Sequence, residues 1–388
     1  MDFDEHLRKL ILMERHNFAG SSSRAIVELV DSLFDFAIKM RASDMHIEPF
    51  QEVLRVRYRI DGQLQELHQP LPLSLAEALT ARIKILARMD TTAAFLPLDG
   101  AIQFGNVEMR VASMPSFGAE SLTIRLLDTS LDLHNLGDLG FTASNEKIFR
   151  QMINAPAGMI ILTGPMNSGK STTLYAALRQ LNQPTRSIMT LEDPIEQHVE
   201  GISQVQVNEK TGLTFAAGLR AMLRMDCNVL MVGEARDAET SRIAIRAALT
   251  GHLIFTTLHA NDSCSAVFRL LEMGVEPYLL AATLRGVVAQ RLVRKLCPHC
   301  KKLCADGTFE AVGCSECRNT GYSGRLALHE ILSIDKNLRS LILNSRDLDE
   351  IRTAALKGGL KTLANDADNK VRAGLTSVAE VQRVLSAE

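Results

Sequence analysis

The sequence has no tryptophan, and aromatic residues make up only 5% of it, which argues against a groove that stacks nucleic-acid bases. An excess of either charge is missing as well: 43 Lys and Arg stand against 45 Asp and Glu, a formal balance of −2. A chain so balanced lacks the overall basic field of a nucleic-acid coat, so no direct nucleic-acid contact is expected. Long apolar runs are absent too. The stretch from Tyr278 to Val293 is broken by Arg285 and Arg291, and no segment reaches the roughly 20 apolar residues of a bilayer span. The amino end, MDFDEHLRKLILMERHNF, carries Asp2, Asp4 and Glu5 and no small-residue cleavage site, unlike a secretory or transit peptide. A cytoplasmic chain is expected, with any membrane association peripheral. Cysteine is scarce and uneven: five of the seven lie between Cys297 and Cys317, a clustering that suits metal better than a disulfide framework.

What is present is a globular composition, 46% hydrophobic and 23% charged over 388 residues, enough for two or three domains. Residues 1–20 read as a charged helical stub. Between 25 and 40, Ile26, Leu29, Val30, Leu33, Phe34 and Ile38 share one helical face. LRVRYRIDGQL (54–64) alternates around Asp61 and Gly62 and reads as a hairpin. A helix near 73–89 and alternating strands over 102–127 complete an α+β module over 21–130. Residues 131–138 break the pattern and read as a linker. From 139 to 296, helices alternate with the apolar runs MIILTG (159–164), SIMTLED (187–193), VLMVGE (229–234) and LIFTTLH (253–259). Buried parallel strands between helices look like this, so the expected class is doubly wound α/β. A cysteine module over 297–325 follows, and 326–388 reads as helical throughout.

The sharpest chemical signal is Gly164, Pro165, Met166, Asn167, Ser168, Gly169, Lys170, Ser171 and Thr172, directly after the run MIILT and before an amphipathic segment. This is the GxxxxGK[ST] phosphate loop in its strand–helix context. Its glycines let backbone N–H groups turn toward phosphate oxygens, and the helix N-terminus adds positive potential. Lys170 would reach the β- and γ-phosphates of ATP, and the Ser171 hydroxyl would ligate Mg²⁺. Three further strand ends carry polar residues where an open α/β sheet holds its ligand: Glu192 and Asp193 with Glu196 beyond, Glu234, and His259, with His252 at the start of the last strand. Singly, such groups also occur as solvated or capping residues. Cys297 and Cys300 form one CxxC pair and, thirteen residues on, Cys314 and Cys317 form another. Two such pairs suit tetrahedral thiolate coordination of Zn²⁺ in a closed, structural site. Buried free thiols and a redox pair are the competing readings of that spacing.

Taken together these motifs resemble the secretion ATPase superfamily, and within it the zinc-containing assembly ATPases of type II secretion and type IV pilus systems. ASDMHIEPF (42–50) is similar to the family's SDIHIEP element, TLEDPIE (190–196) to its aspartate box and VGEARDAETSRIAIRAALTGH (232–252) to its Walker B region. TTLHANDSCSAVFRLLEMG (256–274) is similar to its histidine box, and QRLVRKLCPHC with GCSECRNTGYSGRLALHE to its zinc segment. The resemblance implies a RecA-like ATPase core preceded by a smaller, PAS-like α+β domain, with a four-cysteine zinc module and a helical C-terminal region. It implies that Glu234 is the catalytic glutamate, that Glu192 and Glu196 position magnesium or water, and that His252 and His259 sense the phosphate state. It also implies that Arg110, in MRVASMP, and Arg125, in LTIRLL, act as arginine fingers. A homo-hexamer working on an inner-membrane platform protein is the implied assembly. The four cysteines, and the lack of an AIRNLIRE element, favour the assembly over the retraction branch. The chain departs from the family at Met166–Asn167, at FLPLDGAI (95–102), at Glu120–Ser121 and at Cys227–Asn228. These departures motivate an alternative, a nucleotide-binding adaptor with little turnover.

Overall fold

The computed structural model of the chain describes residues 22–67, 69–93, 95–127, 135–235, 237–344 and 347–386. The stub expected at 1–20, the first four residues of the expected linker, and Arg236 lie outside the described residues. The chain divides into two compact units, Met1–Leu131 and Asp132–Glu388.

The first described element of the first unit is helix α1 (Ser22–Lys39). Ile26, Leu29, Val30, Leu33, Phe34 and Ala37 recur every three or four residues along it, and all are buried. Strands β1 (Asp44–Phe50), β2 (Val53–Ile60), β3 (Gln63–Glu66) and β4 (Leu71–Pro72) follow. After helix α2 (Ala76–Leu86) come β5 (Leu98–Phe104), β6 (Val107–Pro115) and β7 (Glu120–Leu127). They pair antiparallel in the order β3-β2-β1-β7-β6-β5, with β4 beside β2. Strand β2 shows the cause of the layering: Leu54, Val56, Tyr58 and Ile60 are buried while Arg55, Arg57 and Arg59 line the other face. At the β2–β3 turn Asp61 and Gly62 both take positive φ, 50° and 83°, the conformation that a two-residue primed turn requires.

The second unit carries helix α3 (Ala143–Ile153), strand β8 (Gly158–Thr163), helix α4 (Lys170–Leu181) and strands β9 (Ile188–Glu192) and β10 (Ser203–Gln206). Next come α5 (Phe215–Met222), β11 (Val229–Val232), α6 (Ala238–Leu249), β12 (Leu253–Leu258), α7 (Ser263–Glu272) and α8 (Pro277–Thr283). Strand β13 (Leu284–Leu296) leads through β14 (Lys302–Leu303) and β15 (Phe309–Glu310) to β16 (Tyr322–Ser333). Helices α9 (Lys336–Asn344), α10 (Leu348–Lys357), α11 (Leu363–Arg372) and α12 (Val378–Leu385) close the chain. The main sheet runs β10-β9-β11-β12-β8-β13-β16. All neighbours in it are parallel except β13 and β16. Along β8, Met159 and Ile161 enter one core and Ile160 and Leu162 another. Helices therefore cover both faces, which is why the strand is apolar without alternation. The doubly wound α/β class expected from the sequence is the class observed.

One expectation is corrected. The tail is not helical from 326, because β16 extends to Ser333 and is paired with β13 along almost its whole length. Leu326, Ala327, Leu328, Ile331 and Leu332 are buried, and a short, continuously apolar run of this kind does not distinguish a buried strand from a buried helix. The cysteine segment is thus the connection between two long antiparallel strands, and the helices begin at Lys336.

Candidate active site

Strand β8 delivers its last residue, Thr163, to the loop at 164–169, and α4 starts at Lys170. Two glycines in the loop are dictated by space as well as by dihedral angle. Gly164 has φ 148°, and a Cβ there would lie 2.4 Å from the Gln290 carbonyl oxygen. Gly169 has φ 86°, and its Cβ would lie 2.7 Å from Gln290 Nε2. Asn167, at φ 61°, occupies a left-handed position that asparagine tolerates better than most residues. Met166 at the loop tip is exposed.

Lys170 is buried, and its Nζ donates to the carbonyl oxygens of Gly164 (2.7 Å) and Pro165 (2.8 Å). Burial, helped by the neighbouring Arg291 charge, pulls its pKa down to about 8, while Glu234 and Glu196 act in the opposite direction. Two of the expected carboxylates therefore act on the phosphate-loop ammonium. Ser168 Oγ is buried with no hydrogen-bond partner among the described residues, so the loop holds an orphaned donor where an anion is expected. The α4 N-terminus presents the first-turn amides of Lys170, Ser171 and Thr172 on the same side.

Side chains of the strands tie the neighbouring ends together. Thr163 Oγ1 accepts from the Ala260 amide (2.9 Å), and Thr257 Oγ1 donates to the Gly233 carbonyl (2.7 Å). His259 and Glu234 consequently follow strands that end at the loop edge of the sheet. Glu192 is buried at the end of β9 and engaged internally: it accepts from the Tyr175 hydroxyl, from Thr190 Oγ1 (2.5 Å) and from Gln204 Nε2 (3.1 Å). The Tyr175 oxygen in turn accepts from the amides of Glu196 (3.2 Å) and Gln197 (3.3 Å). Glu192 thus shapes the segment that carries the exposed Glu196. His252 lies elsewhere. The register pairs Leu253 with Gly158 and Leu258 with Thr163, so His252 sits at the amino end of β12, about 20 Å from the loop edge. Its Nδ1 is 3.1 Å from the Ala247 carbonyl oxygen.

Sequence reasoning missed Gln290 and Arg291, the latter noted there as an interruption of an apolar stretch and both quoted only as the start of the zinc segment. Gln290 accepts from Thr173 Oγ1 (2.8 Å) and donates to the Ser168 carbonyl (2.8 Å), joining the loop to α4. Arg291, almost fully buried, donates from Nη2 to the Asn261 carbonyl (2.7 Å). The available signal was a polar pair inside a strand buried on both faces, where each polar group needs a partner.

In the first unit Arg110 and Arg125 are register partners on β6 and β7. Two guanidinium groups directly opposite repel, and the buried Asp44 offsets this by pairing with Arg125 (3.0 Å) and Arg59 (3.4 Å). Glu120, at one of the departures from the family, pairs with the buried Lys84 of α2 at 2.5 Å.

The four cysteines cluster, with every Sγ within 4.8 Å of the others. Cys297–Cys314 is 3.9 Å, and Cys300–Cys317 and Cys314–Cys317 are 3.7 Å. A tetrahedral zinc with bonds of about 2.3 Å places sulfurs about 3.8 Å apart, so the donor set fits. The amides of Cys314 and Gly321 donate to Cys317 Sγ, and that of Gly313 to Cys300 Sγ, which stabilises thiolates. His299 and Cys304 are outside the cluster, and Cys227 and Cys264 are buried.

A phosphate loop on an inner strand of a doubly wound sheet, with carboxylates around its lysine, defines a phosphate-loop nucleoside triphosphatase. The description of the type II/IV secretion system protein family matches residues 20–383, and the chain belongs to that family. It is 44% identical to the type II secretion system ATPase E of Vibrio cholerae over 382 residues, covering 92% of this chain and 75% of that protein. It is 42% identical to the type IV pilus assembly ATPase PilB of Myxococcus xanthus over 380 residues, covering 92% and 67%. The crystal structure of the pilus retraction motor PilT with bound ADP superposes with a TM-score of 0.65 at 25% identity, covering 91% of this chain and 96% of that one. The resemblance read from the motifs is therefore the family observed, and the chain is an ATPase of the secretion and pilus class. Among the described residues no helix is long and apolar enough to cross a membrane.

Proposed function

We propose that this chain is a hexameric, Mg-ATP-hydrolysing motor that powers assembly of a type IV pilus or type II secretion pseudopilus. It would act at the inner face of the cytoplasmic membrane on a platform protein of the secretion machine. The observation that carries the reading is the buried Lys170 at the head of α4, acted on by Glu234 and Glu196 beside the unpartnered Ser168 hydroxyl. In this reading the loop 164–172, through its backbone N–H groups other than at Pro165, and Lys170 hold the β- and γ-phosphates, and Glu234 takes the proton of the attacking water. Ser171 would hold magnesium, which screens the phosphate charge. Glu192 keeps the Glu196 segment in place through Tyr175, and His259 senses the γ-phosphate position. Arg110 and Arg125, on a separate unit, are suited to reach a neighbouring subunit's nucleotide, where a trans arginine stabilises transferred charge. His252, remote from its own loop, would report to an adjacent subunit. Cys297, Cys300, Cys314 and Cys317 would hold a structural zinc with no open coordination position.

The test is ATPase specific activity against protein concentration, with magnesium, for wild type beside Glu234→Gln. A rate per chain that climbs with concentration and vanishes in the variant is expected. A flat rate insensitive to Glu234→Gln removes the reading.

A further inference from the structure

The four residues after His259 are each gripped by a different element. The Ala260 amide is held by Thr163 of β8, the Asn261 carbonyl by Arg291 of β13, and the Ser263 amide and hydroxyl by the buried Glu330 of β16. The fourth grip comes from outside the sheet. Asp262 caps α7 by accepting from the Ser265 amide (2.6 Å) through Oδ1, and through Oδ2 it accepts from Arg352 of α10 (2.6 Å). A cavity of about 270 Å³ lies beside this contact, lined by Asn261, Asp262, Glu330, Arg352 and Leu356 among others. The Asp262 side chain thus meets α10 through the ion pair, with open space beside it. Helix α10 itself is anchored without Arg352, since Ile351 and Ala355 are buried in the same core as Ala266 and Val267 of α7.

We propose that Arg352 is a positioning residue for the nucleotide site: its ion pair with Asp262 holds the His259 loop against the phosphate loop and ties the C-terminal helix α10 to ATP turnover. The proposal rests on the reading of 164–172, Glu234 and His259 as the hydrolytic site. Coupling of this kind is reciprocal. Nucleotide binding then alters α10, and whatever moves α10 alters nucleotide affinity in turn; turnover responds separately, through the position of the His259 loop. The C-terminal helices thereby become a handle through which a bound partner can regulate the motor. The side chains of Arg352 and Asp262 are 42% and 25% exposed. Loss of so exposed a pair leaves the melting temperature within about 4 °C of wild type, so a fall in rate is not a folding effect.

The experiment compares wild type with Arg352→Ala, Arg352→Lys and Asp262→Asn, the last keeping a cap oxygen for Ser265. Arg352→Ala and Asp262→Asn are expected to lower kcat about tenfold with KM for ATP within about twofold, and Arg352→Lys to restore most of it. Amide exchange is followed in parallel with a non-hydrolysable ATP analogue. The analogue is expected to slow exchange in α10 of the wild type and to leave α10 unchanged in Arg352→Ala. A kcat within twofold of wild type in both charge-removing variants, or an analogue effect on α10 that survives Arg352→Ala or is absent from wild type, overturns the proposal. A wild type without turnover speaks against the hydrolytic reading, and the exchange comparison, which needs binding alone, then decides the role of Arg352.

Discussion

Gln290→Leu removes a side chain of similar size that bridges α4 and the phosphate loop. The substitution leaves the Thr173 hydroxyl and the Ser168 carbonyl, both partnered at 2.8 Å in the native chain, without that partner in a buried place. A buried polar group stripped of its partner costs about 1–3 kcal/mol. The two together predict a loss of about 3 kcal/mol, or a melting temperature roughly 6–12 °C lower. The loop would also lose its tether, so affinity for a fluorescent ATP analogue should fall about tenfold. A double-mutant cycle separates tether from packing. Adding Thr173→Val removes one of the two orphaned groups, so Thr173→Val/Gln290→Leu should recover about 1 kcal/mol relative to Gln290→Leu. Thermal denaturation and analogue titration of the four proteins suffice. If Gln290→Leu melts within about 2 °C of wild type, or if the two substitutions are simply additive, the bridge does not hold the loop and the reasoning fails.

Two further outcomes follow from the C-terminal half. Burial opposes ionisation of Glu380, yet hydrogen bonds from Arg383 and Arg294 outweigh it and bring its carboxyl down to about 2 from an ordinary 4.5. Its folded-state pKa is depressed, so the stabilisation is complete above about pH 4.5 and is lost as pH falls toward 2. The gap corresponds to about 3 kcal/mol. Glu380→Gln should therefore lower stability at pH 7 and flatten its pH dependence between about 2 and 4.5, read by urea denaturation at each pH. For the cysteine module, metal analysis should find one zinc per chain. Chelation or Cys317→Ser should open residues 297–321 to protease and lower the melting temperature by about 5 °C or more. A metal-free protein with an intact, protease-resistant module would exclude the zinc site.

The amino-acid order alone determined whatever is written in contiguous residues. The strand, loop and helix around Gly164–Thr172 follow from an apolar run, a glycine-rich turn and an amphipathic segment in succession. The approach of four thiols follows from two CxxC pairs closed by a short connection, and the hairpin at Asp61–Gly62 from residues that tolerate positive φ. Tertiary structure decided the rest, because long-range pairing and the partners of buried polar groups leave no local period. Leu326–Leu332 became a strand because β13 was there to pair with it. Gln290 and Arg291 came to the phosphate loop from some 120 residues away because β13 lies beside β8. Glu192 turned inward onto Tyr175. Asp262 and Arg352 met because α10 packs on α7, a contact set by burial of Ile351 and Ala355 rather than by the charges it brought together.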